Sequence, residues 1–168
     1  MRLKRLVVGM PKQKMVDLLY ELIKNSKRSD RELAKVVRVS QPTITRMRRN
    51  LEKGGYIQEY TLVPALEKLG YEIIAFNFLS ASPEHELKKE NHAWVSKNPR
   101  IFFASSGSGL DGKTLLLVSI HKDYTDYSAF VRELRSALGL EAASMESFLL
   151  SLRTDIVKNF SFKNLKQV

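Results

Sequence analysis

One basic stretch of the sequence, Ser29–Gly55, decides the fold of the N-terminal part; it reads SDRELAKVVRVSQPTITRMRRNLEKGG. Ser29 followed by Glu32 is the capping-box pattern, in which each side chain bonds the backbone amide of the other residue. It predicts a short helix that starts at Ser29 or the next residue. Ser40-Gln41-Pro42 predicts another helix start, because serine is a preferred N-cap and proline fits the first turn. Gly54-Gly55 supplies a left-handed stop.

The second of these helices, residues 41–53, has two opposite faces. At about 100° per residue, Ile44, Met47 and Leu51 point to one side, which we expect to be the core. The opposite side is cationic, and its members, with two flanking hydroxyls, are Pro42, Arg46, Arg49, Lys53, Thr43 and Thr45. An amphipathic helix over 14–25 precedes the stretch. Residues 56–62 follow it and alternate like a strand pair.

Three short helices with a basic polar face on the third are typical of a helix-turn-helix, and the strand pair would be its wing. Such a recognition helix enters the major groove with its N-terminus first, so its early side chains read base edges and later cations hold phosphates. We assign to base edges Gln41, Pro42, Thr43, Thr45 and Arg46. We assign to phosphates Arg48, Arg49, Lys53 and the basic start of the chain. Each cation taken singly is equally typical of a solvated helix surface.

Positive charge is concentrated in the same part of the chain. The 168 residues include 28 Lys and Arg against 18 Asp and Glu, a net charge of +10, of which residues 1–69 carry +9. A segment with this charge has an anionic partner, and neutralising nucleic-acid phosphates drives binding by counterion release. From charge alone, an anionic membrane surface and a merely solvated face stay open as alternatives.

The three segments Ser29–Ala34, Val39–Arg46 and Leu51–Ile57 together resemble the winged helix of the Lrp/AsnC family, the feast/famine regulators. The resemblance covers about residues 14–70. It implies a dimeric transcription regulator. It also implies that a C-terminal domain assembles the oligomer and senses a small molecule, often an amino acid.

The C-terminal half predicts a βαββαβ order, the ferredoxin-like arrangement that the resemblance also implies. The predicted strands cover 71–79, 101–104, 114–120 and 145–152, and the predicted helices cover 83–95 and 124–138. We therefore expect an α+β protein, with a winged helix-turn-helix domain at 1–62, a connection at 63–70, a regulatory and oligomerisation domain at 71–152 and a tail at 153–168.

The strands 71–79 and 114–120 are apolar on both sides, so we expect a partner sheet on one face and a homodimer or higher homo-oligomer. The tail either packs across a partner subunit or frays.

A glycine-rich segment, residues 105–112, is predicted as a loop between the second and third strands. It is not a phosphate loop, because Gly112-Lys113-Thr114 enters a strand rather than a helix. The resemblance implies an effector loop here, with Gly107 or Gly109 beside Asp111. The glycines would admit an amino acid's carboxylate to the backbone amides, and Asp111 would pair with its ammonium group. A plain hairpin connection is the alternative.

Other site classes find little support in the sequence. The chain has no cysteine, and its histidines, His85, His92 and His121, are expected at the surface or an interface. We predict no catalytic residue, no metal site and no cofactor. A haem-pathway decarboxylase of the same fold and a DNA-architectural protein without effector are the alternatives. No apolar run approaches the ~18 residues of a membrane span, and the N-terminal apolar stretch is too short for a signal peptide, so we expect a cytoplasmic protein.

Overall fold

The computed structural model describes residues 12–80, 89–139 and 145–165. Its elements, in chain order, are α1 Gln13–Lys24, α2 Asp30–Val37, α3 Gln41–Lys53, a 3₁₀ turn Leu66–Leu69, β1 Ile73–Leu79, α4 Lys89–Lys97, β2 Ile101–Gly109, β3 Lys113–His121, α5 Tyr124–Leu138 and β4 Met145–Ser151. The chain forms two compact units. The first unit contains the described residues of Met1–Val63 and Asn159–Val168, and the second unit is the described part of Pro64–Lys158.

The first unit has three helices around an apolar core. The predicted capping box starts α2, because the Ser29 hydroxyl accepts from the Glu32 amide at 3.3 Å and the Glu32 carboxylate accepts from the Ser29 amide at 2.8 Å. The tight turn between α2 and α3 uses Arg38 in the left-handed region, at φ 58° and ψ 55°. The buried core residues are Leu18, Leu22, Leu33, Val37, Ile44, Met47 and Leu51. The predicted inward face of α3, with Ile44, Met47 and Leu51, is therefore confirmed.

The expected strand pair at 56–62 is wrong for this structure. Residues 57–65 form neither helix nor strand, and Leu62 and Val63 are exposed. A hairpin needs a turn between its two arms, and the segment contains no glycine or asparagine that would form one. Tyr56 and Ile57 instead pack against the core of the three helices.

The second unit is a four-stranded antiparallel sheet with the order β2-β3-β1-β4, which confirms the ferredoxin-like prediction. Its main core lies between one face of the sheet and the helices, and the buried residues are Ala75, Leu79, Leu115, Leu117, Tyr127, Phe130, Leu134 and Leu138. Helix α5 has the predicted bounds. Helix α4 ends at Lys97, and residues 83–88 of the predicted helix lie outside the described residues.

The predicted loop over 105–112 is mostly strand. β2 continues to Gly109 and pairs with β3, with Ser105 opposite Leu116 and Gly109 opposite Lys113. Only residues 110–112 form the turn. Serine and glycine have weak strand propensity, but main-chain pairing with the long apolar β3 overrides it at this edge strand. The structure therefore has a short hairpin where the composition predicted a long loop.

The second face of the sheet is only partly covered within the unit. Ile74, Val118 and Leu152 are buried there, with Leu66 and Ile156 packed against them. Farther along the sheet, Phe103 is 51% exposed and Phe148 is 64% exposed. The first part of the tail thus packs on its own sheet, while residues 159–165 belong to the first unit. A partner sheet on this face stays a prediction.

His121 is in the core, which corrects the expectation of a surface or interface position. Its side chain is fully buried, and its ring lies 4.9 Å from the ring of Phe130 and 5.2 Å from that of Tyr127. Alternate residues of β3 face the helices, and position 121 continues the series that includes 115 and 117. His92 is exposed, and His85 lies outside the described residues.

Candidate nucleic-acid interface

Helix α3 presents a cationic outer face, which we define as Pro42, Arg46, Arg49 and Lys53. All four residues are exposed. Within the described part of the chain, the three charged side chains have no hydrogen bond or ion pair. The predicted division of the helix into a buried face and a cationic face is therefore present. The outer face can accept anions without breaking an internal contact among these residues.

The N-terminus of α3 is also open to an anion. Ser40 is its N-cap but makes no side-chain capping bond, and its hydroxyl lies 2.8 Å from that of Thr43 instead. The first turn contains no acidic residue. The positive end of the helix dipole is therefore not compensated there, which favours a phosphate or another anion. Gln41 is exposed at this end, and Thr43 is half-buried.

A second stripe of α3 is bonded to its own unit. We call Thr45, Arg48 and Glu52 the bonded flank. Asp30, the first residue of α2, accepts a hydrogen bond from the Thr45 hydroxyl at 2.6 Å. The same carboxylate accepts from Arg48, at 3.0 Å from Nε and 2.7 Å from Nη2. Tyr60 donates to Glu52 at 2.9 Å and lies 3.5 Å from Arg48 Nη1.

The bonded flank changes the surroundings of two predicted site residues. Thr45 was assigned to base edges and Arg48 to phosphates, and the structure gives both of them partners inside the unit. The hydrogen bond from Thr45, together with the Arg48 guanidinium, holds the pKa of Asp30 below its ordinary value. Periodicity could not reveal Asp30 or Tyr60, because their contacts depend on how α2 and the segment after α3 pack. The spacing of 45, 48 and 52 along one stripe was the only available signal.

The tip of the β2–β3 hairpin borders a small cavity of about 140 Å³. Gly107 and Gly109 are among its lining residues, together with Phe78 and Lys113. Asp111 is exposed at the tip with φ 53°, and it does not line the cavity. The structure thus brings the two predicted glycines to one wall and leaves the predicted aspartate outside it.

Lys113 is the charged residue of this cavity that the sequence reading missed. Its side chain is only 8% exposed, and its ammonium group lies 3.1 Å from a carboxylate oxygen of Glu146. Glu146 is 70% exposed and does not line the cavity, so Lys113 is the charge next to this wall of apolar and glycine residues. A buried cation beside an apolar wall matches a ligand with a carboxylate better than it matches a purely apolar ligand. A lysine at the first position of a strand carries no sequence signal of this role.

Within 12–80, 89–139 and 145–165, no group of three or more His, Asp or Glu side chains could hold a metal ion. In the same part of the chain, no helix has the length and apolar character needed to cross a membrane.

Comparison with known proteins gives matches in both units. Residues 13–58 match a family described as winged helix-turn-helix DNA-binding. An HTH-type transcriptional regulator of Pyrococcus abyssi is 27% identical over 134 residues, which are 80% of this chain and 88% of that protein. Among solved structures, a Neisseria meningitidis transcriptional regulator in complex with L-Met has a TM-score of 0.76 at 21% identity, with coverage of 89% and 94%.

An AsnC family transcriptional regulator of Agrobacterium tumefaciens is similar to the same extent. Its TM-score is 0.74 at 21% identity, and the match covers 89% of this chain and 94% of that one. At this identity the structures show a shared fold, and the sequence match over 13–58 adds the DNA-binding module. The chain therefore matches a winged helix-turn-helix DNA-binding module at residues 13–58 and shares its fold with AsnC family transcriptional regulators.

Proposed function

We propose that the chain binds double-stranded DNA through α3, with the N-terminal turns in the major groove and the outer face along the phosphates. The observation that carries this proposal is the set of three exposed cations on α3 that have no partner within the described residues. Charges of this kind neutralise phosphates at no internal cost. The uncompensated helix N-terminus adds a second site for a phosphate.

The roles of individual residues follow from where α3 places them. Gln41, Pro42 and Thr43 belong to the first turn, and Arg46 extends from the outer face one turn later. We assign base edges to these four residues and phosphates to Arg49 and Lys53. Arginine can bond guanine bidentately, so Arg46 is the main specificity contact of this set.

Selection from a random pool of duplex DNA tests the sequence preference. We expect the wild-type chain to enrich a defined motif. Arg46→Ala should bind that motif about 1–3 kcal/mol more weakly and discriminate less against altered base pairs. Arg132→Ala, which removes an exposed cation from the second unit, is the control. Enrichment of no motif would leave non-specific, architectural DNA binding as the function.

We further propose that the active form is a homodimer or a larger homo-oligomer. One helix-turn-helix reads few base pairs, and a two-fold dimer reads two half-sites. The partly covered sheet face, with Phe103 and Phe148 about half-exposed or more, supports a second copy as its partner. Sedimentation at micromolar concentration should show the assembly, and Phe148→Asp should reduce it. A wild-type monomer under these conditions would contradict the proposal.

A small zwitterion, such as an amino acid, is the effector that we propose for the hairpin cavity. Lys113, beside Gly107 and Gly109 in the cavity lining, would bind the carboxylate, and Glu146, the ion-pair partner of Lys113 outside that lining, would bind the ammonium group. The solved Neisseria meningitidis regulator is in complex with L-Met, which supports this ligand class. Calorimetry against the twenty amino acids should find a binder that Lys113→Met abolishes. Asp111→Ala tests the role predicted for that residue, and retained binding would assign the ammonium group to Glu146.

The matched relatives are transcriptional regulators, and we propose that this chain likewise performs no catalysis. No observation among the described residues favours the decarboxylase alternative.

A further inference from the structure

The bonded flank of α3 separates one arginine from the other cations of the helix. Arg46, Arg49 and Lys53 are exposed, whereas the Arg48 side chain is 19% exposed and two of its nitrogens are bonded to Asp30. Both of these bonds end on the same oxygen, Oδ1. The other oxygen, Oδ2, accepts from Thr45. One carboxylate therefore holds two adjacent positions of the flank.

Asp30 is itself fixed in place by the fold. It is the first residue of α2 and follows the N-cap Ser29, whose capping box with Glu32 defines the start of the helix. A carboxylate in the first turn also interacts favourably with the helix dipole. Hydrogen bonds from Thr45 and Arg48 keep its pKa below the ordinary value, so the group stays ionised around neutral pH. The Asp30 carboxylate is therefore negatively charged and is held by hydrogen bonds from two residues of α3.

The far side of Arg48 is held as well. Tyr60 Oη lies 3.5 Å from Arg48 Nη1, and Tyr60 donates to Glu52 at 2.9 Å. Glu52 lies one turn after Arg48, so the bonds run along the flank from Thr45 to Glu52. An arginine bonded on both sides must give up these bonds before it can reach a phosphate.

We propose that Asp30 is a specificity-determining positioning residue of α3, which withholds Arg48 from the DNA backbone and fixes the Thr45 hydroxyl. This inference rests on the proposed function. A free Arg48 would add a phosphate contact to every sequence alike, which raises non-specific affinity without raising discrimination. When Arg48 is bonded to Asp30, the base-reading residues contribute a larger fraction of the binding free energy. The carboxylate thereby acts on DNA through its neighbours and without touching it.

The salt dependence of binding distinguishes a withheld cation from an engaged one. Each phosphate neutralised contributes about 0.9 to the slope of log affinity against log salt concentration. With a mixed-sequence duplex of about three helical turns as the probe, Arg48→Ala should leave the slope of the wild type unchanged. Asp30→Asn and Asp30→Ala should steepen it by about 1. The double variant Asp30→Asn/Arg48→Ala should return to the wild-type slope, and discrimination for the selected motif should fall in both Asp30 variants.

Two controls isolate the effect. Asp17→Asn removes one negative charge from the same unit, and its carboxylate accepts from Gln13 at 2.9 Å. It should not change the slope. Arg49→Ala should flatten the slope by about 1, because that residue is assigned to a phosphate. Thermal unfolding of each variant confirms that the first unit is folded.

Failure of the inference and failure of the proposed function would give different results. A slope that flattens by about 1 in Arg48→Ala would show that Arg48 already holds a phosphate and would overturn the inference. An unchanged slope in both Asp30 variants, with Arg49→Ala behaving as expected, would overturn it while the proposed function stands. A wild-type chain whose affinity for duplex DNA does not depend on salt would overturn the proposed function, and the role of Asp30 would fall with it.

Discussion

The two units place their polar side chains in opposite locations. In the first unit, the buried side chains of the described residues are all apolar, and the charges of α3 lie on its outer face and bonded flank. In the second unit, Asn77, Lys113, Ser119 and His121 are buried. Among the described residues, the first unit thus keeps its polar groups at or near the surface, whereas the second unit also uses them in its interior.

Asn77 is the centre of the buried polar group. Its amide nitrogen donates to Ser119 Oγ at 3.1 Å, and its amide oxygen accepts from Ser147 at 2.9 Å and from Tyr127 at 3.3 Å. These bonds join β1, β3, β4 and α5. A bonded polar group inside a core fixes register, since a slipped strand would leave it unsatisfied.

The largest effect we expect comes from the aromatic residue that packs against this polar group. Phe130 is fully buried and contacts His121. Phe130→Ala should lower the free energy of unfolding by about 3–5 kcal/mol, because it removes apolar contacts and leaves a cavity. Tyr124→Ala is the control, since Tyr124 is 65% exposed on the same helix. Urea unfolding measures the free energy of unfolding of both variants. Equal losses would show that the buried face of α5 contributes no more to stability than its exposed face.

Asparagine substitutions in the two units test whether buried polar groups stabilise the second unit. Asn77→Ala should cost about 1–3 kcal/mol, because it removes buried hydrogen bonds and takes the Oδ1 acceptor away from the buried Tyr127 hydroxyl. Asn50→Ala, at an exposed position of α3, should change stability by less than about 0.5 kcal/mol. Chemical denaturation of the two variants checks this difference. Comparable costs at both positions would mean that the polar groups of the second unit are not structural.

Acid should destabilise the second unit through His121. Burial lowers the pKa of this histidine from 6.5 to about 4; Asp126, 3.6 Å from Nδ1, opposes the shift, and Arg100 adds to it. The unfolded chain therefore binds a proton at a pH where the folded chain does not, and stability falls as the pH drops from about 7 toward 4. Between pH 7 and 5 the loss should be about 2 kcal/mol. His121→Gln should remove this loss, whereas His92→Gln should retain it.

The smallest effect concerns the start of α2 in the first unit. Ser29→Ala removes the capping hydroxyl and should cost about 1 kcal/mol. Ser26→Ala, at an exposed position just before the helix, should be close to neutral. Thermal unfolding separates the two. A neutral Ser29→Ala would mean that the capping bonds add nothing to stability and that packing alone sets the start of α2.

The sequence predicts best the elements whose positions depend on hydrophobic periodicity and helix capping. The core positions of α3, the capping box at Ser29 and the bounds of α5 follow from spacing and local hydrogen bonding, and the structure confirms them. The sequence predicts β2 too short, because side-chain propensity at Ser105 and beyond says nothing about main-chain pairing with a neighbour. The expected surface position of His121 is wrong because residue type alone favours the surface, although the alternation of β3 assigns this residue to the core.

The candidate site likewise has one part that the sequence predicts and another part that it does not. The outer face of α3 was predictable, since it is the complement of the apolar face on one helix. The bonding of Arg48 to Asp30 was not, because the two residues are 18 positions apart and meet only through the packing of α2 on α3. The contact of Lys113 with Glu146 likewise depends on strands that are distant in sequence.

The assignment of DNA binding to α3 is tested by the salt dependence of duplex DNA binding when charge is removed from one unit or the other. Arg49→Gln/Lys53→Gln removes two exposed cations from α3, and Lys97→Gln/Lys122→Gln removes two exposed cations from the second unit. We predict that the first pair flattens the slope of log affinity against log salt concentration by about 2, while the second pair leaves it near the wild-type value. Equal slopes for the two double variants would contradict the assignment of DNA binding to α3.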